Sequence, residues 1–151
     1  MEAEFNIWET NRKHLKTFLD TYSTEQLNKI PVGFNNNLIW NIAHIIVVQQ
    51  SLVYLGSGLK ANIPDSMIDR YKPGTFVNGY VEKDEIENIK ELLISLIDQT
   101  KSDYHNKVFK SYQKRELKSG FKIHSIEDAI TFNNYHEGMH FGYIMSIKKL
   151  V

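Results

Sequence analysis

The sequence contains no cysteine. That absence excludes disulfides, thiolate zinc sites and a cysteine nucleophile together, so a metal ion could be held only by His, Asp or Glu. An excess of charge of either sign is also lacking: 18 Lys and Arg face 18 Asp and Glu. A balanced chain exerts no general pull on nucleic acid, which is therefore not an expected partner. No run approaches the ~20 apolar residues that a membrane span requires. The opening stretch, MEAEFNIWETNRKHLK, begins acidic and has no apolar signal-peptide core. The expected location is the cytoplasm. Prolines number only three, and they gather with glycine between periodic segments.

What is present is ordinary globular composition, 42% apolar and 24% charged, in 151 residues that suit one domain spanning 1–151. Four segments carry helical periodicity. The first runs from about Glu2 to Asp20, with Phe5, Trp8, Leu15, Phe18 and Leu19 on one stripe. Ser23, with Gln26 three residues on, predicts a capped short turn that Pro31 and Gly33 end. The second helix starts behind Asn37 and continues to Tyr54 or Leu55, where Gly56 and Gly58 stop it. Its inward stripe reads Trp40, His44, Val47, Ser51, Leu55.

The linker from Leu59 to Tyr80 holds Pro64, Pro73, Gly74 and Gly79, which predicts irregular structure covering one end of the domain. Lys83 or Asp84 opens the third helix, striped by Ile86, Ile89, Leu93, Leu96 and Ile97. From Asp103 to Ile123 the pattern is mixed and predicts an extended crossover; its lysines and Arg115 read as a solvated face. Ser125, with Asp128 three residues on, caps a fourth helix running to about Lys149. Four amphipathic helices with long crossover connections predict an all-α four-helix bundle.

The fourth helix carries the chemistry. Its inward stripe is Ile126, Ala129, Ile130, Asn133, His136, Glu137, His140, Tyr143, Ile144 and Ile147. His136 and His140 are four apart, so both imidazoles face one way, the spacing that lets two histidines chelate one ion. His44 occupies the inward stripe of the second helix. A lone histidine on an apolar stripe is ordinarily a hydrogen-bonded core residue, but three converging imidazoles leave ring nitrogens that a transition metal would satisfy. Three protein ligands also leave an open position for water or substrate. Gly138 and Gly142 flank the pair, which predicts close packing or access there. His14, His105 and His124 fall at polar or boundary positions and read as surface residues.

Glu137 lies about 100° around the helix from His136. It is the candidate catalytic proton acceptor or an anchor behind the ligands, against the plainer reading of a surface glutamate. Asn41, Asn133 and Tyr143 are candidates to orient imidazoles or touch substrate. His136-Glu137-Gly138-Met139-His140 also satisfies the metalloprotease pattern H-E-x-x-H. Only 11 residues follow His140, too few for a downstream ligand helix, so a protease is not the reading adopted.

The blocks Asn37-Leu38-Ile39-Trp40-Asn41-Ile42-Ala43-His44-Ile45 and His136-Glu137-Gly138-Met139-His140-Phe141-Gly142-Tyr143-Ile144 resemble the DinB-like (YfiT-type) superfamily of four-helix-bundle metalloproteins. Its motifs place an aromatic one turn before a second-helix histidine, and follow H-x-x-x-H with glycine and an apolar residue. The resemblance implies His44, His136 and His140 as ligands of a divalent transition metal, nickel or zinc foremost, in a bundle that is frequently a homodimer. It also implies thiol-dependent transferases or isomerases using bacillithiol, mycothiol or glutathione, although no thiol pocket is legible here. Two readings follow: a metal-dependent transferase or hydrolase acting on a small-molecule substrate, or a non-catalytic metal-binding bundle with a structural or stress-related role. A ligand shell open to a cavity would favour the first.

Overall fold

A computed structural model describes residues 1–151. The elements in chain order are α1 (Glu2–Thr21), α2 (Thr24–Asn28), α3 (Leu38–Val53), a 3₁₀ turn (Leu55–Ser57), α4 (Asp65–Tyr71), α5 (Lys83–His105), the strands β1 (Arg115–Glu116) and β2 (Lys122–Ile123), and α6 (Ile126–Ile147). The four long helices close a ring in which α1 packs on α5 and α6, and α3 packs on the same two from the opposite corner. The all-α bundle expected from periodicity is what the chain forms.

Three helix starts, those of α2, α3 and α6, follow their side-chain caps. Ser23 Oγ accepts from the Gln26 amide at 3.2 Å while Gln26 Oε1 accepts from the Ser23 amide at 3.0 Å, a complete capping box. Asn37 Oδ1 accepts from the Trp40 amide at 2.9 Å to open α3. Ser125 Oγ accepts from the Asp128 amide at 3.0 Å to open α6, and Asp128 in turn accepts from the His124 amide.

α3 departs from the expected single stripe. Nearly every residue from Leu38 to Val53 is buried, because α2, α4, α5 and α6 surround it. Leu55 falls in the 3₁₀ turn, out of line with the helix, and is exposed. Contrary to the expectation that no run approaches a membrane span, Leu38–Ser57 is long and apolar enough by composition to cross a membrane, with a mean hydropathy of 1.5, yet 89% of it is buried inside the bundle. A helix apolar on all sides is here the central core helix.

The linker also departs from expectation, since α4 forms inside it. Pro64 stands at its N-cap, and Met67 and Tyr71, four apart, supply its buried face. Only three apolar residues between the breakers Pro64 and Pro73 were too few for the periodicity to declare a helix. Beyond α5 the crossover is extended, as expected, and ends in the antiparallel β1–β2 pair, Arg115 opposite Ile123 and Glu116 opposite Lys122. The crossover is pinned to the bundle at Gly56: a Cβ there would fall 2.8 Å from the Tyr112 ring, whose hydroxyl donates to Leu52 O at 3.0 Å.

One ion pair crosses this core. The stripe of α1 steps from Trp8 to Leu15 through Arg12, which is fully buried. Its Nη2 lies 2.7 Å from Glu137 Oε1, its Nε donates to both Glu137 oxygens, and its Nη1 donates to Leu93 O at 3.2 Å. Asn11 and Asn133 complete the carboxylate's partners at 3.1 and 2.8 Å. Breaking a buried pair strands a charge in the core, at about 3–5 kcal/mol, whereas replacing both partners with apolar groups of like volume costs far less. Urea unfolding should therefore show Glu137→Ala destabilised by that amount, and the double variant Arg12→Met/Glu137→Met closer to wild type than either single change.

Candidate metal centre

α3 and α6 form the most extensive helix pair in the bundle, and their shared face holds three imidazoles. His44 comes from α3; His136 and His140 come from successive turns of α6. Ring centroids are 5.2 Å apart for His44–His136, 4.6 Å for His44–His140 and 4.5 Å for His136–His140. One ligand nitrogen from each lies within 4.8 Å of the other two. His44 is 4% exposed and His136 9%, while His140 is half-buried.

Hydrogen bonds fix the tautomers of two rings. His44 Nδ1 lies 2.6 Å from Tyr71 O, and a carbonyl only accepts, so Nδ1 carries the proton and Nε2 a free lone pair. The acceptor is itself held in place, because the Tyr71 hydroxyl donates to Glu85 on α5 at 2.7 Å. Asn41 Nδ2 donates to Asn37 O at 2.7 Å, which turns Asn41 Oδ1 toward His140 Nδ1 at 2.9 Å. Nε2 of His140 is thereby the bare nitrogen as well. Trp40 stacks on His44, with ring centroids 4.6 Å apart and planes 12° apart, and restrains its rotation.

His136 Nδ1 is buried without any partner. An orphaned nitrogen on a ring clustered with two imidazoles whose Nε2 atoms are bare is costly in a core unless a cation joins the three rings. The donor set fits a divalent transition metal on these grounds. The rings are also in the ligating, neutral state. Burial, reinforced by His140, His44 and Arg12, pushes His136 down to about 3. Burial and then His44 push His140 down to about 4. Burial lowers His44 too, opposed by its bond to Tyr71 O.

The imidazoles open onto a cavity of about 830 Å³. Its wall includes Trp40, Val48, Leu52, Leu117, Phe132, Met139 and Tyr143, with Pro73, Gly74, Thr75 and Phe76 from the linker. The linker does cover this end of the bundle, as expected. Trp40 Nε1 and Asn36 Oδ1, on two residues of that wall, are buried without partners.

The other sequence candidates separate. Asn41 orients the His140 imidazole. Asn133 serves Glu137 instead, and Tyr143, 53% exposed, borders the cavity. Glu137 is neither a surface residue nor a neighbour of the cavity: it is fully buried, and the helical step that follows His136 turns it toward Arg12 on α1. Gly138 and Gly142 are exposed, and a Cβ at either would meet nothing within 4 Å, so close packing is not their reason. His14, His105 and His124 lie on the surface. The backbone oxygen of Tyr71 and the inward turn of Arg115 left no sequence signal, one being main chain and the other hidden among exposed lysines.

Folded-state values below the ordinary ~6.5 mean that the unfolded chain binds more protons in acid. The contribution of His136 and His140 is thus fully present above that pH, and is lost as pH falls toward their folded values of about 3 and about 4. Urea midpoints of metal-free protein between pH 7 and 4 should fall less steeply for His136→Asn than for wild type.

The sequence pattern that defines the DinB superfamily matches residues 7–144. No curated protein matches the chain. The match spans α3 and the turns of α6 that carry the three histidines, and by that match the chain belongs to the DinB superfamily.

Proposed function

We propose that the protein holds one divalent transition metal ion, nickel or zinc, on His44, His136 and His140 and uses it as a Lewis acid on a small molecule in the adjoining cavity. The observation that carries this reading is the opening of a three-histidine cluster onto about 830 Å³ of space with no carboxylate on its wall to close the ligand shell. A structural site would be expected to supply a fourth protein ligand. Bound there, the ion would lower the pKa of a water or thiol in the open position and so supply a nucleophile near neutral pH.

The chain's own residues set the conditions for that chemistry. The Tyr71 carbonyl and Asn41 hold their imidazoles with Nε2 forward and raise the basicity of those ligands. Trp40, Val48, Leu52 and Phe132 exclude water from the inner wall. Glu137 is assigned no proton transfer, because Arg12, Asn11 and Asn133 occupy both its oxygens. Its part is to hold α6 against α1 beside His136. A low-molecular-weight thiol such as bacillithiol, mycothiol or glutathione suits the open position, since a thiolate is a soft ligand for zinc or nickel. The reaction favoured is transfer of that thiol to an electrophile, with hydrolysis by bound water as the other use of the same centre.

Metal analysis of untagged protein should give one ion per chain in the wild type and a loss of most of it in His136→Ala; equal content in the two would end the proposal. Asn41→Ala keeps all three ligands but frees His140, and should weaken metal binding by about 10–100-fold in chelator competition. Conjugation assays with the three thiols and a panel of electrophiles should show turnover that depends on the added metal.

A further inference from the structure

Of the side chains lining the cavity, Arg115 is the one with a fixed charge, and no Asp or Glu borders it. Lys107, Lys110, Lys114, Lys118 and Lys122 on the same crossover are all exposed, whereas Arg115 turns inward and is half-buried. Its hydrogen bond, from Nη2 to Ser51 O, is long at 3.4 Å. The adjacent Glu116 faces Lys122 and His124 instead, at 3.8 Å from each. A guanidinium has five N–H donors, so most of its capacity and all of its charge are uncommitted. Ser51 follows His44 by seven residues on α3, which puts the guanidinium ~10 Å along the helix from the imidazoles. Val48 lies in the intervening turns, and Leu52, Leu117 and Phe132 line the same cavity.

We propose that Arg115 anchors a carboxylate of the substrate, and that the protein acts on a small organic monoanion with an apolar body. The carboxylate sits on the guanidinium, the body lies along Val48, Leu52, Leu117 and Phe132, and the reacting end reaches the histidines. This assignment rests on the reading of the cavity as the substrate site of the metal centre. Three neutral imidazoles leave the whole charge of a divalent ion uncompensated. With Arg115 added, the cavity holds positive charge at both ends and no fixed negative charge, so it selects anions over neutral molecules. A single planar guanidinium matches one carboxylate in a bidentate pair. A dianionic phosphate would keep an unpaired charge against an apolar wall.

Calorimetric titration of full-length protein, metal-free and zinc-loaded, with phenylhexanoate and with its neutral counterpart phenylhexanol tests this. The acid should bind at least ~10-fold tighter than the alcohol to both forms, the size of one charged hydrogen-bonded pair. Arg115→Gln should abolish that preference and leave the alcohol's affinity unchanged. Arg115→Lys, which keeps the charge, should retain part of it, separating loss of the anchor from damage to the β1–β2 pair. Absence of acid binding, equal affinity for acid and alcohol, or a preference that survives Arg115→Gln would overturn the proposal. The last result, if confined to the zinc-loaded form, would seat the carboxylate on the metal. Tighter binding of a phenylalkyl phosphate than of the acid would overturn the choice of carboxylate. Metal content is measured separately, so failure to load zinc would count against the metal centre while the metal-free titrations still decide on Arg115.

Discussion

The rotation of α6 about its own axis is the setting on which the site depends, and Glu137 fixes it. Residues 136 and 137 are neighbours in the chain but point to different sides of the bundle, one toward α3 and the other toward α1. The carboxylate is gripped by Arg12, Asn11 and Asn133, and Arg12 reaches on to Leu93 O of α5. A small turn of α6 would break this arrangement at a high cost for buried charge. Because the helix is stiff, the same restraint aims His136 and, one turn later, His140 at His44. An ion pair that contributes little net stability thus acts as an angular reference for an imidazole cluster several ångströms away.

The other half of the cluster is positioned by main-chain geometry. Asn37 ends the loop before α3 with its side chain capping the helix, and its carbonyl orients Asn41, which orients His140. The cap of one helix therefore sets the tautomer of a histidine on another. His44 draws its partner from outside the bundle, from the last residue of α4. Each ring with a defined tautomer has its proton directed away from the cluster, and the orphaned nitrogen belongs to His136. Low proton affinity, produced mainly by burial, keeps the rings neutral and able to ligate.

Much of this was legible in the sequence, for identifiable reasons. α1, α5 and α6 announce themselves by a buried face with a 3.6-residue period, and α3 and α6 by the side-chain caps at Asn37 and Ser125. The histidines are legible because polar residues on an apolar stripe stand out. Legibility ended where burial is not periodic or where the contact is not made by a side chain. α3, buried on all sides, offers no stripe to read, so Leu55 was placed inward by an extrapolation that the 3₁₀ turn breaks. Arg12 occupied the gap in the α1 stripe, but a charged residue reads as solvent-facing until its partner is known, and that partner is 125 residues away. Glu137 was ambiguous for the same reason. α4 was too short to show a pattern, and the acceptor it supplies to His44 is a carbonyl that any residue possesses.

That carbonyl links two properties usually treated apart. Tyr71 is followed within a few residues by Pro73, Gly74, Thr75 and Phe76, which form part of the cavity wall. The segment that bounds the space for an incoming molecule is continuous with the acceptor that tunes a ligand imidazole. A displacement of residues 71–76 would widen the cavity and, in the same movement, lengthen the bond to His44 Nδ1 and make its Nε2 a weaker donor. Entry to the site and the electron density offered to an ion held by the three histidines would then be mechanically one variable, and occupancy of the cavity would be felt at that ion without any contact between the two.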